Sequence, residues 1–325
     1  MKIHPMWREY PALQTELEQV LTLIDQNITT NNVPVRDAIL DMINAGGKML
    51  RPAYCLLFSQ FKQTDRHKII ALAAAVETLH TATLIHDDII DESDMRRGLP
   101  SIQATFGKDT AVYAGDYLFT VCFKLLAGYA SDLRSVQQDG KHMEAILNGE
   151  LAQMSTRYNM AITIDQYLNQ VSGKTGQLFA LSTFLGAYES GNSLRFARNA
   201  QTIGLNIGVA FQLLDDILDY TASSSQFGKP VQEDMRQGVY LAPLILALRE
   251  APDAFAPYLS KRLKMTDDDA KTVDQLVRDH GGVVKAQELA KDYTDTALTA
   301  IEKLPDMPVR AILSQLTSSL LNRQS

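Results

Sequence analysis

Apolar residues recur at three- and four-residue intervals over most of the chain, the spacing that places them on one face of a helix. The pattern predicts an amphipathic helix with a polar tip over residues 1–30. It predicts further helices over 52–62, 67–91, 109–130, 136–158 and 193–220, and more from about 240 to the end, with a polar break near 263–268. No segment shows the Val/Ile/Thr alternation of strands. In "NAGGKMLRP" (Asn44–Pro52) two glycines end one helix, and Pro52 suits the first turn of the next. "RRGLPS" (Arg96–Ser101) and "TASSSQFGKP" (Thr221–Pro230) read as loops. In "VSGKTGQLFALSTFLGAY" (Val171–Tyr188), Gly173 and Gly176 stand where a helix should run and bring the backbone close to something. Without a long Gly/Ser/Pro linker or a short repeat, the chain reads as one all-α domain, 1–325.

Against this background two stretches stand out. "LIHDDIID" carries Asp87, Asp88 and Asp91, and "QLLDDILD" carries Asp215, Asp216 and Asp219, each as DDxxD behind an apolar helical stretch. Residues i and i+4 share a helix face, so Asp87 lies beside Asp91 and Asp215 beside Asp219, a mildly unfavourable pairing of like charges. A helix C-terminus disfavours anions further. Two such clusters imply that a cation is expected, and oxygen-only ligands select a hard one, Mg²⁺ above all where substrate phosphates complete its shell. Clusters facing each other across a helical bundle would hold several Mg²⁺ ions, with Mn²⁺ as a substitute, and these would bridge to a polyanion such as diphosphate.

Cations sit at the breaks: Lys48, Arg51, Arg96, Arg97, Lys174 and Lys229 could close over phosphate oxygens or could be solvated surface charges. Thr83, His80, Leu79 and Val76 lie one to three turns below Asp87 on the same side, a largely apolar surface that suits a hydrocarbon tail under a diphosphate head. His80, the exception there, is either a satisfied core residue or a ligand. Glycine-rich nucleotide loops are absent.

Composition narrows the reading. A net charge of −7 gives no basic surface for nucleic acid. "MKIHPMWREYP" has no apolar core segment, so no signal peptide is expected, and no apolar run is expected to span a bilayer. Cys55 and Cys122, in apolar helical surroundings, predict buried free thiols and a reducing, cytoplasmic setting.

"GGKMLRP", "HDDIIDESDMRRG", "GKTGQL", "FQLLDDILDY" and "GKP", in this order over residues of about 35–320, resemble the trans-isoprenyl diphosphate synthases, makers of farnesyl, geranylgeranyl and longer polyprenyl diphosphates. The resemblance implies a helical bundle around a deep cavity, assembled as a homodimer. It implies that Asp87, Asp88, Asp91, Asp215, Asp216 and Asp219 bind about three Mg²⁺ ions. Arg96, Lys174, Thr175, Gln212 and Lys229 then serve the allylic diphosphate. Lys48, Arg51, His80 and Arg97 serve isopentenyl diphosphate, which makes His80 a ligand. The implied reaction ionises the allylic diphosphate, condenses the cation with isopentenyl diphosphate and loses a proton to the released diphosphate. Main-chain carbonyls near Lys174 and the Gln212 amide would stabilise the cation.

One position departs from the family pattern: Val239, in "RQGVYLAP", stands where many members carry a second lysine. Short-chain members place bulky aromatics four or five positions before the first aspartate, whereas this chain has Thr83 and Ala82. A product longer than farnesyl is therefore expected, its limit set deeper by Leu79, Val76 or a bulky residue on the helix containing Ile146 and Leu147. Another enzymatic reading is the catalytic subunit of a heptaprenyl-type synthase with a small non-catalytic partner. A terpene cyclase fits poorly, because the second DDxxD is intact and Lys48, Arg51 and Arg97 are present. A regulatory subunit would have lost an aspartate or Lys174.

Overall fold

The computed structural model describes residues 3–221 and 233–321. Every element among them is helical except one two-residue hairpin. The described residues cluster into two compact units, one within Met1–Lys141 and Leu181–Gln201, the other within His142–Ala180 and Thr202–Ser325.

In the first unit, the Arg66–Ile90 helix packs against the helices Pro11–Asn27, Leu50–Ser59 and Lys108–Tyr129. Every residue from Ile69 to Leu79 is buried, as expected of a helix apolar on nearly all faces. Asp65 caps its start by accepting from the His67 amide at 2.9 Å. The predicted loop at 96–101 is partly a hairpin: Met95–Arg96 pairs antiparallel with Leu99–Pro100. Its two-residue turn is Arg97–Gly98, both at positive φ (51° and 78°), the backbone that matches strand twist in a tight hairpin.

Two helices have the length and composition to cross a membrane, contrary to the expectation from unbroken apolar runs. They are Arg66–Ile90 and Lys108–Tyr129. Glu77 and His80 interrupt the first in sequence, but its mean character stays apolar. Of its most apolar window, 83% is buried inside the protein, the position of a core helix. Both cysteines are free and buried.

Among the acids this unit buries are Glu189 and Asp139. Glu189 accepts from the Ser131 amide (3.0 Å) and hydroxyl (2.6 Å) and from Ser135, and it pairs with Lys68 at 2.6 Å. Asp139, only 2% exposed, has no hydrogen-bond partner for either carboxylate oxygen among the described residues. Burial, and next the charge of Glu189, push its carboxyl up to about 7. A folded-state pKa above the unfolded value means the folded protein holds the extra proton between about pH 4 and pH 7. This contribution is therefore largest at acid pH and is lost as pH rises through 7. Asp139→Asn, uncharged throughout, is expected to flatten the fall in melting temperature between pH 5 and pH 8, as read by thermal melts of both proteins.

In the second unit, Tyr167, Leu213, Ile217, Tyr220, Leu244 and Phe255 belong to one buried core. The helices Ala242–Glu250, Pro252–Leu259, Asp267–Asp279 and Gly282–Glu302 surround it. The polar break near 263–268 is a 3₁₀ turn, Arg262–Lys264, followed by a capping box in which Thr266 and Asp269 satisfy each other's backbone amides.

Candidate active site

Both aspartate motifs lie at helix ends, as the sequence predicts. Asp87 and Asp88 fall in the last turn of Arg66–Ile90, and Asp91 is its C-cap. Asp215, Asp216 and Asp219 occupy the last turns of the helix Leu194–Thr221. The motifs belong to different units.

Within the first motif the acids differ. Asp88 is 1% exposed, and Arg96 donates to its Oδ1 from Nε at 2.8 Å and from Nη2. Burial raises the Asp88 carboxyl above the usual range, against the pull of Arg96. Its Oδ2 is buried and accepts no hydrogen bond among the described residues. Asp87 is half-buried and Asp91 exposed at the mouth of the turn.

Below them the Arg66–Ile90 helix gathers a second polar cluster. Arg51 Nη1 donates to His80 Nε2 at 3.2 Å, which places the ring proton on Nδ1. Burial, then Arg51, Arg97 and Arg96, hold the His80 pKa well below its ordinary value, so the ring is neutral. Arg97 donates to the Met42 carbonyl at 3.2 Å. Its guanidinium lies over Gly47, where an added Cβ would meet it at 2.8 Å. Glu77, 3% exposed, lies near Arg97 and Arg51; burial raises its carboxyl above the usual range, against the pull of these two cations. Sequence reasoning missed Glu77, although an acid inside "AAAVETLH" is a visible anomaly. Thr83 is half-buried; Val76, Leu79 and Ala82 are buried.

In the second unit, Ser172–Gly176 ("SGKTG") forms a π turn, the wider backbone often found at functional sites. Close backbone approaches explain its glycines. A Cβ on Gly149 would lie 2.6 Å from the Lys174 nitrogen, and one on Gly208 would lie 2.8 Å from the Gly176 Cα. Gly149→Ala is accordingly expected to cost about 1–3 kcal/mol through overpacking and to slow turnover; differential scanning fluorimetry beside initial rates checks both.

Lys174 pairs with Glu150 at 2.9 Å. Thr175 donates to Gln212 Oε1 (2.9 Å), and Gln212 Nε2 donates to Asp216 Oδ1 (3.0 Å). Asp216, 2% exposed, also accepts at Oδ2 from the Tyr167 hydroxyl and from the Ala242 amide at 3.1 Å. Burial pushes its carboxyl up to about 7, against these hydrogen bonds. The "RQGVYLAP" segment containing Val239 thus leads into the Ala242 amide that holds Asp216. Lys229 lies outside the described residues.

The structure therefore brings Asp87, Asp88, Asp91 and Arg96 together, gathers Arg51, His80 and Arg97, and links Thr175, Gln212 and Asp216. Among the described residues no group of three or more acids, histidines or cysteines forms a ready cage for a metal. Oxygen-only donors with so few carboxylates together fit Mg²⁺, which takes much of its shell from water and substrate phosphate.

The polyprenyl synthetase family model matches residues 33–280. The crystal structure of a geranylgeranyl pyrophosphate synthase from Lactobacillus brevis superposes with a TM-score of 0.94 at 43% identity, covering 98% of this chain and 99% of that one. A polyprenyl synthase from Caulobacter crescentus, crystallised with calcium and isoprenyl diphosphate, gives 0.90 at 29% identity, each chain covered fully. Heptaprenyl diphosphate synthase component 2 of Geobacillus stearothermophilus is 31% identical, over 97% of both chains. With the motifs, the helical fold and these likenesses in agreement, the chain belongs to the polyprenyl synthetase family of trans-isoprenyl diphosphate synthases and is a prenyltransferase.

Proposed function

We propose that this all-trans polyprenyl diphosphate synthase makes a product of geranylgeranyl length or longer by adding isopentenyl diphosphate to an allylic diphosphate. The observation that carries this reading is the Arg66–Ile90 helix itself. It ends in a carboxylate motif, and directly below lie the small side chains Thr83 and Ala82 rather than an aromatic floor.

The family is Mg²⁺-dependent, and we assign about three ions to this enzyme. Asp87, Asp91, Asp215 and Asp219 are the proposed direct ligands. Asp88, through its buried orphan Oδ2, offers a further oxygen while fixing Arg96. Asp216 has three protein donors and serves the second motif mainly by anchoring it to Tyr167, Gln212 and Ala242. When bound, Mg²⁺ supplies Lewis-acid stabilisation of charge on the departing diphosphate. Arg96, Lys174 and Lys229 add fixed positive charge for the allylic diphosphate. Lys48, Arg51, Arg97 and neutral His80 hold isopentenyl diphosphate. Buried Val76, Leu79 and Ala82 offer apolar walls that exclude water from the allylic cation. Thr175 and Gln212 link the π turn to Asp216, and the proposed role of the main-chain carbonyls near Lys174 is to stabilise the allylic cation. The released diphosphate takes the final proton, so no side-chain base is needed.

A homodimer is the proposed assembly, supported by the exposed apolar residues Val112, Tyr113 and Phe123 on the Lys108–Tyr129 helix. The proposed compartment is the cytoplasm, which suits two free buried cysteines. The likeness to a protein named component 2 favours a second reading, a catalytic subunit that needs a small partner. Turnover by the purified chain alone decides between them: product from the single chain supports the homomer, and product only on adding a partner supports the heteromer.

A further inference from the structure

The Lys48 loop is held by a residue far outside the family motifs. Trp7 lies in the 3₁₀ turn Pro5–Glu9, before the residues that the family model matches, and its side chain is fully buried. Its indole Nε1 donates to the Lys48 carbonyl at 2.8 Å. The turn is itself fixed: His4 accepts from the Met6 amide at 3.3 Å, the Trp7 amide donates to the His4 carbonyl, and the Tyr10 ring meets the indole edge-on at 6.3 Å.

The carbonyl that Trp7 grips is a sensitive one. The next residue, Met49, is the N-cap of the helix Leu50–Ser59 and adopts a left-handed backbone (φ 52°), without a side-chain cap bond. A non-glycine residue holds that geometry only where its surroundings over-determine it. The indole bond fixes the peptide plane between Lys48 and Met49. It thereby fixes where the Lys48 side chain leaves the backbone and how the helix bearing Arg51 begins. On the other side of the loop, Gly47 lies under the Arg97 guanidinium. One buried aromatic N–H thus sets the loop between two of the cations proposed to grip one diphosphate.

We propose that Trp7 is a positioning residue for the isopentenyl diphosphate subsite, which makes the N-terminal segment part of that subsite; this rests on the assignment of Lys48, Arg51 and Arg97 to isopentenyl diphosphate. It also predicts a built-in reporter, because Trp7 is the chain's single tryptophan.

The test compares wild type, Trp7→Phe, which keeps an aromatic ring and removes the donor, and Lys48→Ala. In steady-state assays Trp7→Phe is expected to raise KM for isopentenyl diphosphate about fivefold, the weight of one neutral hydrogen bond, with KM for the allylic diphosphate unchanged. Tryptophan emission of the wild-type protein should shift on titration with isopentenyl diphosphate alone. If Lys48→Ala raises that KM and Trp7→Phe does not, the role of Trp7 is refuted while the subsite assignment stands. A rise in both KM values together marks a merely structural tryptophan and refutes it too. If Lys48→Ala leaves KM unchanged, the subsite assignment fails and the inference with it. Unchanged emission at saturating isopentenyl diphosphate counts against Trp7 independently of how either variant folds.

Discussion

Asp87→Ala and Asp215→Ala are each expected to leave a folded protein whose Mg²⁺-dependent turnover is lower by about a thousandfold or more. The magnitude follows from losing about 4 kcal/mol of transition-state stabilisation where charge builds on the leaving diphosphate. The fold should survive, since each of these acids stands one turn from another carboxylate at the negative end of a helix, where its charge is unfavourable. The middle acid of the second motif should behave in the opposite way. Asp216→Ala strands the Tyr167 hydroxyl, the Ala242 amide and one Gln212 donor in a buried site. Each buried group left unsatisfied costs about 1–3 kcal/mol, so a marked loss of stability is expected along with lost activity. Urea unfolding beside initial rates separates the two: equal stability losses for Asp215→Ala and Asp216→Ala would contradict the division of roles.

Thr83→Phe should shorten the product to farnesyl diphosphate. Thr83 lies one turn below Asp87 and is half-buried, so a ring there can project from the helix with little repacking. Ala82→Phe should shorten the product as well but at a cost. Ala82 is fully buried, and enlarging a packed site typically costs about 1–3 kcal/mol or more. Leu79 and Val76, both 1% exposed, are the deeper candidates for the wild-type limit, whereas Leu147 is half exposed and its neighbour Ile146 is buried. Reversed-phase chromatography of dephosphorylated products reads the result, and an unchanged product from both variants would remove these positions from chain-length control.

The helices were legible because periodicity is local: five expected segments match observed helices to within about three residues at their ends. The carboxylate motifs were legible for the same reason, since i and i+4 neighbours need only a helix. What the sequence did not disclose depends on partners distant along the chain. Asp87, Asp88 and Asp91 look equivalent on paper, but Arg96 singles out Asp88 by folding back through the hairpin. Asp216 is set apart from Asp215 by a local donor, Gln212, and by two distant ones, Tyr167 and Ala242, which lie 49 and 26 positions away. Gly173 and Gly176 announced a close approach, yet their counterparts, Gly149 and Gly208, carry no local signal of it. Trp7 reaches Lys48 across 41 positions through one hydrogen bond, which no periodicity encodes. The hairpin at 95–100 escaped because two-residue strands leave no alternation to read.

This chain, by itself, is expected to elongate allylic diphosphates past farnesyl in a Mg²⁺-dependent reaction. Incubating the purified protein with labelled isopentenyl diphosphate and each allylic primer in turn, with and without Mg²⁺, and sizing the products tests it most directly. The predicted result is a labelled product of geranylgeranyl length or longer, formed only with Mg²⁺. A product that stops at farnesyl, or no condensation product with any primer, would contradict it.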